Sequence, residues 1–212
     1  MARHHPDDGL LMDIADGAAP EAVALAVVCH LSTCGRCREL AAAFEAAGGA
    51  LLERLDGVAL EPDALWHAFA RSEAAGVASR DPTRDDPVGL PAPLRPYLPA
   101  PGAQLPWKRL GTIETVSLGV FSSASRARLV RMAAGRAIPR HLHAGSEYVA
   151  VFAGGFTDRG QRYGPGDFCV AGIADDHAPV ADPGEPCVAL VVHDAPVRFT
   201  GPLLRFLNPV LR

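Results

Sequence analysis

The sequence predicts two domains, an all-α amino-terminal half over residues 1–80 and an all-β carboxyl-terminal half over residues 102–212. The length, a change in hydrophobic periodicity and a proline-rich stretch between the halves lead to this prediction. At roughly 150 residues per domain, a chain of 212 residues corresponds to between one and two domains. Hydrophobic residues make up 49% and charged residues 21% of the chain, which excludes a collagen-like, coiled-coil or wholly disordered protein.

Helical periodicity predicts four short helices in the first half. Apolar residues recur at helical spacing in PDDGLLMDIADG, APEAVALAVVCHL is almost entirely apolar, and CRELAAAFEAAGG is expected to end at Gly48 and Gly49. The fourth helix, in PDALWHAFARSEAAG, has Pro62 in its first turn and an apolar stripe that includes Leu65 and Phe69. Four short helices form only a small core, so we expect a metal or a partner protein to stabilise this half.

A proline-rich stretch over residues 81–101 is predicted to link the halves. Seven of the 19 prolines lie between Pro82 and Pro101, and each removes a backbone donor and disfavours helix at the preceding residue. The charge also changes here. Residues 1–80 carry 6 Arg against 12 Asp and Glu, a net charge of −6, whereas residues 101–212 carry 12 basic against 9 acidic residues, a net charge of +3. We therefore expect the halves to face different partners.

The second half changes to the period of β-strands. Runs of β-branched and aromatic residues occur in ETVSLGVF, RARLVRMA, EYVAVFAGGF, DFCVAG and PCVALVVHD, separated by turn signals such as Gly154-Gly155 and Pro183-Gly184. Many short strands in this length predict a closed barrel or a double-sheet jelly roll, since either protects the strand edges.

A histidine and two cysteines of the first half have the spacing of metal ligands. In HLSTCGRC, His30 precedes Cys34 and Cys37, so the end of a helix and the following turn can direct all three at one point. A structural zinc site needs four nitrogen or sulfur ligands, and the nearby uncommitted histidines are His4 and His5. One of them is expected to be the fourth ligand, which would tie the amino-terminal arm to the helices.

Spacing alone leaves two other interpretations of this cluster open. Cys34 and Cys37 could form a redox pair, although the strand–helix context of a thioredoxin-like motif is missing, or His30 could simply cap a helix end. Cys29 points about 100° away from His30 around the helix and is expected in the core.

The pattern of an amino-terminal histidine followed by HxxxCxxC in an acidic helical domain resembles the zinc-binding anti-sigma domains of bacterial transcription regulators. The positions that match their motif are His5, His30, Cys34 and Cys37, and the resemblance favours His5 over His4. It implies a structural zinc ion in this half of the chain.

A second set of candidate ligands lies in the β half. His141 and His143 alternate along one predicted strand, so both point to the interior of a barrel, and Glu147 follows them. This GxxxxxHxHxxxExxxxxxG string resembles the first cupin motif. His177 is the natural fourth ligand, although it follows the turn at 165–167 by more residues than the cupin consensus. Three imidazoles and a carboxylate suit Zn, Fe, Mn or Ni, so the metal is either zinc or another divalent transition metal.

Together, the helical zinc-binding half, the proline-rich link and the single cupin resemble cupin-containing anti-sigma factors of the ChrR type over nearly the whole chain. The resemblance implies that residues 1–80 bind and inhibit an extracytoplasmic-function sigma factor, as a 1:1 heterodimer. It also implies release of the sigma factor on singlet oxygen or related oxidative stress, sensed through the cupin metal site. Candidate sigma contacts are Leu10, Leu11, Ile14 and Trp66, with packing in the helical core as the equal alternative.

Composition excludes two other classes of partner. Direct DNA binding is not expected because the helical half is acidic. A membrane span is not expected either, because no run of about 18 apolar residues occurs, and the charged start MARHHPDDG is unlike a signal peptide. The expected location is therefore the cytoplasm.

The main alternative function is that of a metal-dependent cupin enzyme, a dioxygenase or an isomerase, whose metal keeps a position open for substrate. Such a pocket needs further polar groups, and the strands offer few candidates besides Arg131 and Tyr148. The remaining cysteines and histidines have no ligand companions in the sequence and are expected to be core or surface residues. They are Cys169, Cys187, His67 and His193.

Overall fold

Helices occupy the amino-terminal half of the chain. The computed structural model describes residues 2–74, 89–99, 105–119 and 125–201. Its α-helices are α1 (Asp8–Ala15), α2 (Glu21–Leu31), α3 (Gly35–Leu52) and α4 (Ala64–Ala74), and a 3-10 helix spans Ala92–Tyr97. The carboxylate of Asp7 caps α1 by accepting a hydrogen bond from the backbone N–H of Leu10 at 2.8 Å. Among these described helices, none has the length and apolar character needed to cross a bilayer.

Helix α3 does not end at Gly48 and Gly49, as the sequence predicted, but continues to Leu52. Each glycine costs a helix interior about 1 kcal/mol relative to alanine, which weakens the helix without ending it. The hydrogen-bond ladder runs through both glycines, because the backbone N–H of Glu53 still donates to the carbonyl oxygen of Gly49.

Three of the four α-helices pack against one another. Helix α1 lies against α2 and α3, and Leu11 of α1 is fully buried there. The predicted apolar stripe of α4 is exposed instead, with 65% of Leu65 and 64% of Phe69 accessible to solvent. In the described part of the chain, the packed helical core thus contains three helices rather than the four predicted.

Eleven strands form the carboxyl-terminal half in the described residues. They are β1 (Lys108–Leu110), β2 (Ile113–Ser117), β3 (Arg126–Met132), β4 (His141–His143), β5 (Glu147–Ala153), β6 (Phe156–Asp158), β7 (Gln161–Tyr163), β8 (Phe168–Ala171), β9 (Val180–Ala181), β10 (Cys187–His193) and β11 (Val197–Phe199). A six-stranded sheet has the order β1-β2-β3-β10-β5-β8, and two smaller sheets have the orders β7-β6-β9 and β11-β4.

The sequence predicted a closed barrel or a double-sheet jelly roll, and in the described residues these sheets do not form a closed barrel. The two small sheets are joined only through isolated bridges, between Ala137 and Val180 and between His141 and His177. Pro139 and Pro179 lie within these connecting segments, and proline has no backbone N–H to donate to a ladder. The result is a β-rich half with a large sheet opposite two smaller ones.

The six-stranded sheet separates the helices from the interior of the β half. Val188, Leu190 and Val192 of β10 belong to a hydrophobic cluster that also contains side chains of α1, α2 and the 3-10 helix. The alternate residues of β10 face the other way, where Cys187 and Ala189 pack in a second cluster. Helix α2 therefore lies directly on the sheet, and the helical and β halves share a core.

Part of the predicted linker also belongs to this shared core. Leu90 is 4% and Leu94 is 0% exposed, and the 3-10 helix that carries Leu94 packs against α2. Residues 75–88 and 100–104 lie outside the described residues. The boundaries predicted at residues 80 and 102 stay a prediction.

Candidate metal centres

The first predicted ligand set converges where α2 turns into α3. The Nδ1 atom of His5 lies 3.4 Å from the Sγ atom of Cys34 and 3.3 Å from that of Cys37. The Nε2 atom of His30 lies 3.4 Å from the Sγ atom of Cys37, and the four ligand atoms lie within 4.8 Å of one another. Nitrogen and sulfur ligands of tetrahedral zinc are about 3.5 Å apart, given metal bonds of about 2.0 and 2.3 Å. This donor set fits zinc.

The local backbone explains why these residues meet. His30 lies in the last turn of α2, and Cys34 is the extended residue that begins α3. Its backbone N–H donates to the carbonyl oxygen of His30 at 3.0 Å, which closes the turn. Cys37 lies in the first turn of α3, where the helix dipole favours a thiolate.

The structure brings His5, and not its neighbour His4, to this cluster. The imidazole of His4 points toward the β half, where its Nε2 atom lies 3.1 Å from the carbonyl oxygen of Arg162. Its ring packs against Tyr163, with 4.5 Å between the ring centroids. His4 therefore helps to hold the amino-terminal arm against the β half.

Burial shifts the protonation of this cluster away from the charged forms. Burial, with a contribution from the Cys34 thiol, raises the pKa of Cys37 to about 11. Desolvation also lowers the pKa of His30. Metal ligation requires thiolate sulfur, so binding of a metal here must release thiol protons and must strengthen with pH. Cys29 lies in the core as expected and has its pKa raised to about 12 by burial.

A tight turn of the β half, residues 164–167, holds both the arm and the cluster. The Asp167 carboxylate accepts hydrogen bonds from the backbone N–H groups of Arg3 at 2.5 Å, His4 at 3.1 Å and Gly164 at 2.8 Å. These three bonds hold the pKa of Asp167 below its usual range, although burial alone would raise it. Gly166 has a φ of 88°, a conformation that favours glycine. No sequence pattern pointed to this contact between the halves.

The three histidines of the second predicted ligand set, His141, His143 and His177, converge inside the β half, whereas Glu147 groups with His143 and His193. The Nε2 atom of His177 lies 2.8 Å from that of His143 and 3.1 Å from that of His141. All three imidazoles are buried, at 3% exposure each. The Oε1 atom of Glu147 lies 3.9 Å from the Nε2 atom of His143 and 4.0 Å from that of His177.

The hydrogen bonds of two of these imidazoles test whether a metal fits. The Nδ1 atom of His141 donates to the carbonyl oxygen of Pro139 at 2.8 Å, and the Nδ1 atom of His177 faces the Asp158 carboxylate at 2.8 Å. With a hydrogen on each Nδ1, the two Nε2 atoms face each other. Two facing lone pairs repel unless a proton or a metal ion lies between the nitrogens. The donor set therefore fits a divalent transition metal.

His193 is the residue that the sequence analysis missed. It was expected to have no ligand companions, but its Nε2 atom lies 2.6 Å from the Oε2 atom of Glu147, and its ring stacks on that of His143. With His143 and Glu147 it forms a second group whose ligand atoms lie within 4.8 Å of one another. A sequence signal did exist, because His193 continues the interior-facing positions of β10.

The carboxylates in this region are already paired. Burial alone would raise the pKa of Glu147, but the bond from His193 and the surrounding imidazoles outweigh it and lower that pKa to about 2. Burial lowers the pKa of His143 to about 4, so this imidazole is neutral and able to coordinate. Asp158 is held by His177 and by the guanidinium of Arg159 at 3.0 Å.

The polar residues predicted for an enzyme pocket lie on the opposite face of the sheet. Arg131 forms an ion pair with Glu114 and lies over the ring of Trp107. Tyr148 packs against the cluster shared with the helices. A cavity of about 450 Å3 beside the histidine cluster is lined instead by Arg126 and Arg128.

Comparison with known proteins identifies the family. Residues 101–196 match the family model described as the ChrR cupin-like domain. Over 210 residues, the chain is 36% identical to the anti-sigma-E factor ChrR of Cereibacter sphaeroides, an alignment that covers 99% of this chain and 98% of that protein. The chain belongs to the ChrR family.

The structure is similar to that of a ChrR relative. The crystal structure of Rhodobacter sphaeroides SigE in complex with the anti-sigma ChrR contains a chain that matches with a TM-score of 0.76 and 35% identity, covering 91% of this chain and 100% of that chain. The resemblance to ChrR proteins drawn from the sequence is therefore confirmed. In this chain a helical region precedes a β-rich cupin domain, in the order that the sequence predicted.

Proposed function

We propose that this chain is an anti-sigma factor that binds an extracytoplasmic-function sigma factor in a 1:1 complex and inhibits it. The whole-length relative is an anti-sigma factor by name, and the similar solved structure is a complex of ChrR with SigE. These relatives support a regulatory function and not the alternative function, that of a dioxygenase or an isomerase.

The observation that carries the proposal is a surface of exposed apolar side chains on the helical half, which we name the α3–α4 apolar surface. Its eight large apolar residues lie within residues 51–69 and are exposed by 64% to 88%. Exposed apolar surface of this extent marks interaction sites. Its members are Leu51, Leu52, Leu55, Val58, Leu60, Leu65, Trp66 and Phe69.

Trp66 is the expected energetic centre of this surface. It is 73% exposed, and tryptophan is enriched among the residues that dominate binding energy at interfaces. Of the four contacts proposed from the sequence, Leu11 is buried in the helical core at 1% exposure. The net charge of −6 over residues 1–80 would assist encounter with a basic partner.

We further propose that His5, His30, Cys34 and Cys37 hold a structural zinc ion. The 3.3 to 3.4 Å separations between their nitrogen and sulfur atoms support this assignment. Zinc would supply a crosslink between the arm, α2 and α3, and its binding free energy would contribute to folding. In the cupin, His141, His143, Glu147 and His177 would hold zinc or another divalent transition metal.

The proposed signal is singlet oxygen or a related oxidant, which would act at the cupin metal site and weaken binding of the sigma factor by the chain. Backbone contacts offer one route between the two clusters. Glu147 of β5 pairs in register with Ala171 of β8, β8 begins directly after the 164–167 turn, and that turn contacts His30. A rearranged cupin cluster would reach the helices through these strands.

We also propose the domain division 1–80, 81–101 and 102–212, with a β-rich cupin domain in the last part, and a cytoplasmic location. The α3–α4 apolar surface lies in the first domain, and the proposed sensor lies in the third. The shared core on one face of the six-stranded sheet supports communication between them.

The inhibitory function is tested by mixing the purified chain with an extracytoplasmic-function sigma factor of its own genome. Light scattering after gel filtration should give a 1:1 complex, and transcription from the cognate promoter by RNA polymerase should stop. The housekeeping sigma factor serves as the control and should be neither bound nor inhibited. Continued transcription at saturating concentrations of the chain would refute the function.

The sensing function needs a separate experiment in cells. A reporter of the sigma factor should respond to singlet oxygen when the wild-type chain is present, and His141→Ala and Glu147→Ala should abolish that response while repression persists. Normal induction in both variants would show that the cupin cluster is not the sensor.

A further inference from the structure

The interior of the β half contains a cavity that neither the sigma factor nor the metal ligands account for. Its volume is about 450 Å3, which lies within the range of small-molecule sites. It occupies the face of the six-stranded sheet that points away from the helices and extends to the histidine cluster. At roughly 30 Å3 per water-sized group, it would accommodate roughly fifteen non-hydrogen atoms.

Most of the cavity wall is apolar. Alternate residues of the strands point into it, because side chains on one face of a strand recur with a period of two. Strand residues of the apolar wall include Ile113, Val130, Met132, Val149 and Phe156, and Ile138 joins them from the segment between β3 and β4. Such a wall favours the body of an apolar molecule over water.

One end of the cavity is positively charged. Arg126 and Arg128 lie on the same face of β3 as Val130 and Met132, and all four line the cavity. Arg126 is opposite His193 and Arg128 is opposite Val191 in the register with β10. Because Arg126 and Arg128 are two residues apart along β3, their α-carbons are about 6.6 Å apart at 3.3 Å per residue. Both guanidinium groups can therefore reach one anionic head group.

Neither guanidinium is neutralised by the protein within the described ranges, where no ion pair or hydrogen bond joins either to another side chain. The acidic residues that line the cavity are Glu147 and Asp158, and both carboxylates are paired with other side chains. Glu147 accepts from His193 at 2.6 Å, and Asp158 is held by His177 at 2.8 Å and by Arg159 at 3.0 Å.

Partial burial makes the charge of Arg128 costly, whereas Arg126 is exposed. Desolvation, with a smaller contribution from the neighbouring Arg126, lowers the pKa of Arg128. Arg131, on the opposite face of the same strand, has the partner that these two lack, because its guanidinium pairs with Glu114 at 2.7 Å. An anion that entered the cavity would supply the missing partner, and carboxylates match the guanidinium fork.

We propose that the cavity binds an amphipathic monoanion, an aliphatic chain of roughly ten carbons whose carboxylate contacts Arg126 and Arg128 and whose tail lies along the apolar wall. The head group would then lie beside His193, next to the histidine cluster. This binding activity does not depend on the sigma factor and would be a property of the cupin half.

The direct test is calorimetric titration of the full-length, metal-loaded chain with decanoate below its micellar concentration. We expect saturable binding of one decanoate per chain. Decyltrimethylammonium, which has the same tail and the opposite charge, should bind at least about 10-fold more weakly, as expected for loss of a charge-assisted hydrogen bond. Equal affinity for both probes, or no saturable heat with decanoate, would overturn the proposal.

Variants locate the site. The double variant Arg126→Gln/Arg128→Gln should lose at least about 10-fold in decanoate affinity, whereas Arg131→Gln, on the other face of β3, should bind like the wild type. Equal affinities in both variants would overturn the assignment of the head group.

A measurement on the wild-type chain keeps the test independent of the folding of these variants. With 13C-labelled methionine methyl groups, decanoate should shift the signal of Met132, which lines the cavity. The signal of Met12, exposed on α1, should not move. A saturable shift at Met12 with none at Met132 would place the ligand outside the cavity and overturn the proposal.

Discussion

The Nδ1–H group of His30 donates a hydrogen bond to the carbonyl oxygen of Gly166 over 2.7 Å. A carbonyl oxygen can only accept, so this bond leaves the lone pair of the ring on Nε2, the atom that faces the Sγ atom of Cys37 at 3.4 Å. The β half thus orients a candidate zinc ligand of the helical half. Hydrogen bonds that orient a ligand in this way often govern metal affinity.

The variant Asp167→Ala tests this connection. Three backbone N–H groups, those of Arg3, His4 and Gly164, would lose their acceptor, so we expect the free energy of unfolding to fall by roughly 1–3 kcal/mol. The arm that carries His5 would also be released, so a chelator should remove zinc faster. Urea denaturation and the rate of zinc release measure the two effects.

The matched control for Asp167→Ala is Glu114→Ala. It removes a partly exposed ion pair with Arg131, and such pairs contribute little to the free energy of unfolding. Zinc release at the wild-type rate from Asp167→Ala would show that the arm is held by other contacts.

Several ligands were predictable from the sequence because they are close in the chain. The HxxxCxxC and HxHxxxE spacings depend only on a helix end and on strand alternation, which are local. The contact between His30 and Gly166 spans 136 residues and depends on tertiary packing. His193 meets Glu147 only because β10 and β5 pair in that register.

Sequence could not determine which face of β3 is inside. A shift of one residue exchanges the two faces of a strand, and Arg131 was selected as a pocket residue although Arg126 and Arg128 line the cavity. Helix α1 was predicted well because its apolar periodicity is a local signal. The extent of α3 was not, because glycine propensity alone overstated the break at Gly48 and Gly49.

Stability of the metal-free chain should fall as the pH drops from about 6.5 to about 4. Burial lowers the pKa of His143 from 6.5 to about 4, so over this range the unfolded state binds a proton that the folded state excludes. The stability contribution is complete above pH 6.5 and is lost as the pH falls toward 4. For this residue the loss is at most about 3 kcal/mol.

Chemical denaturation in excess chelator at a series of pH values measures this dependence. Burial also lowers the pKa of His141 and His30, which adds to the slope in the same direction. The variant His143→Gln should flatten the curve. An identical slope in wild type and variant would contradict the assigned protonation state.

The variant Leu94→Ala should destabilise the chain even though it lies in the proline-rich segment. Leu94 is 0% exposed and belongs to the core shared by α2 and the six-stranded sheet. Truncation of a fully buried leucine costs about 2–5 kcal/mol. Thermal and urea unfolding should show this loss, and Leu51→Ala, at 64% exposure, should not. A neutral Leu94→Ala would indicate that this segment is only a tether.

The variant Trp66→Ala should weaken sigma binding without altering stability. Its side chain is 73% exposed in the free chain, so removal opens no cavity, whereas loss of a tryptophan at the centre of an interface costs about 2 kcal/mol or more, which is above 10-fold in affinity. Surface plasmon resonance with the immobilised sigma factor measures the change. Ile173→Ala, a 67% exposed apolar residue of the cupin half, is the control and should bind normally.

The most direct measurement of the central claim is a titration of the sigma factor with the double variant Cys34→Ser/Cys37→Ser, compared with the zinc-loaded wild type. If a metal crosslink organises the arm, α2 and α3, the variant should lose zinc, lose helicity in circular dichroism and lose its affinity for the sigma factor. A variant without zinc that remains helical and binds the sigma factor as tightly as the wild type would contradict the account.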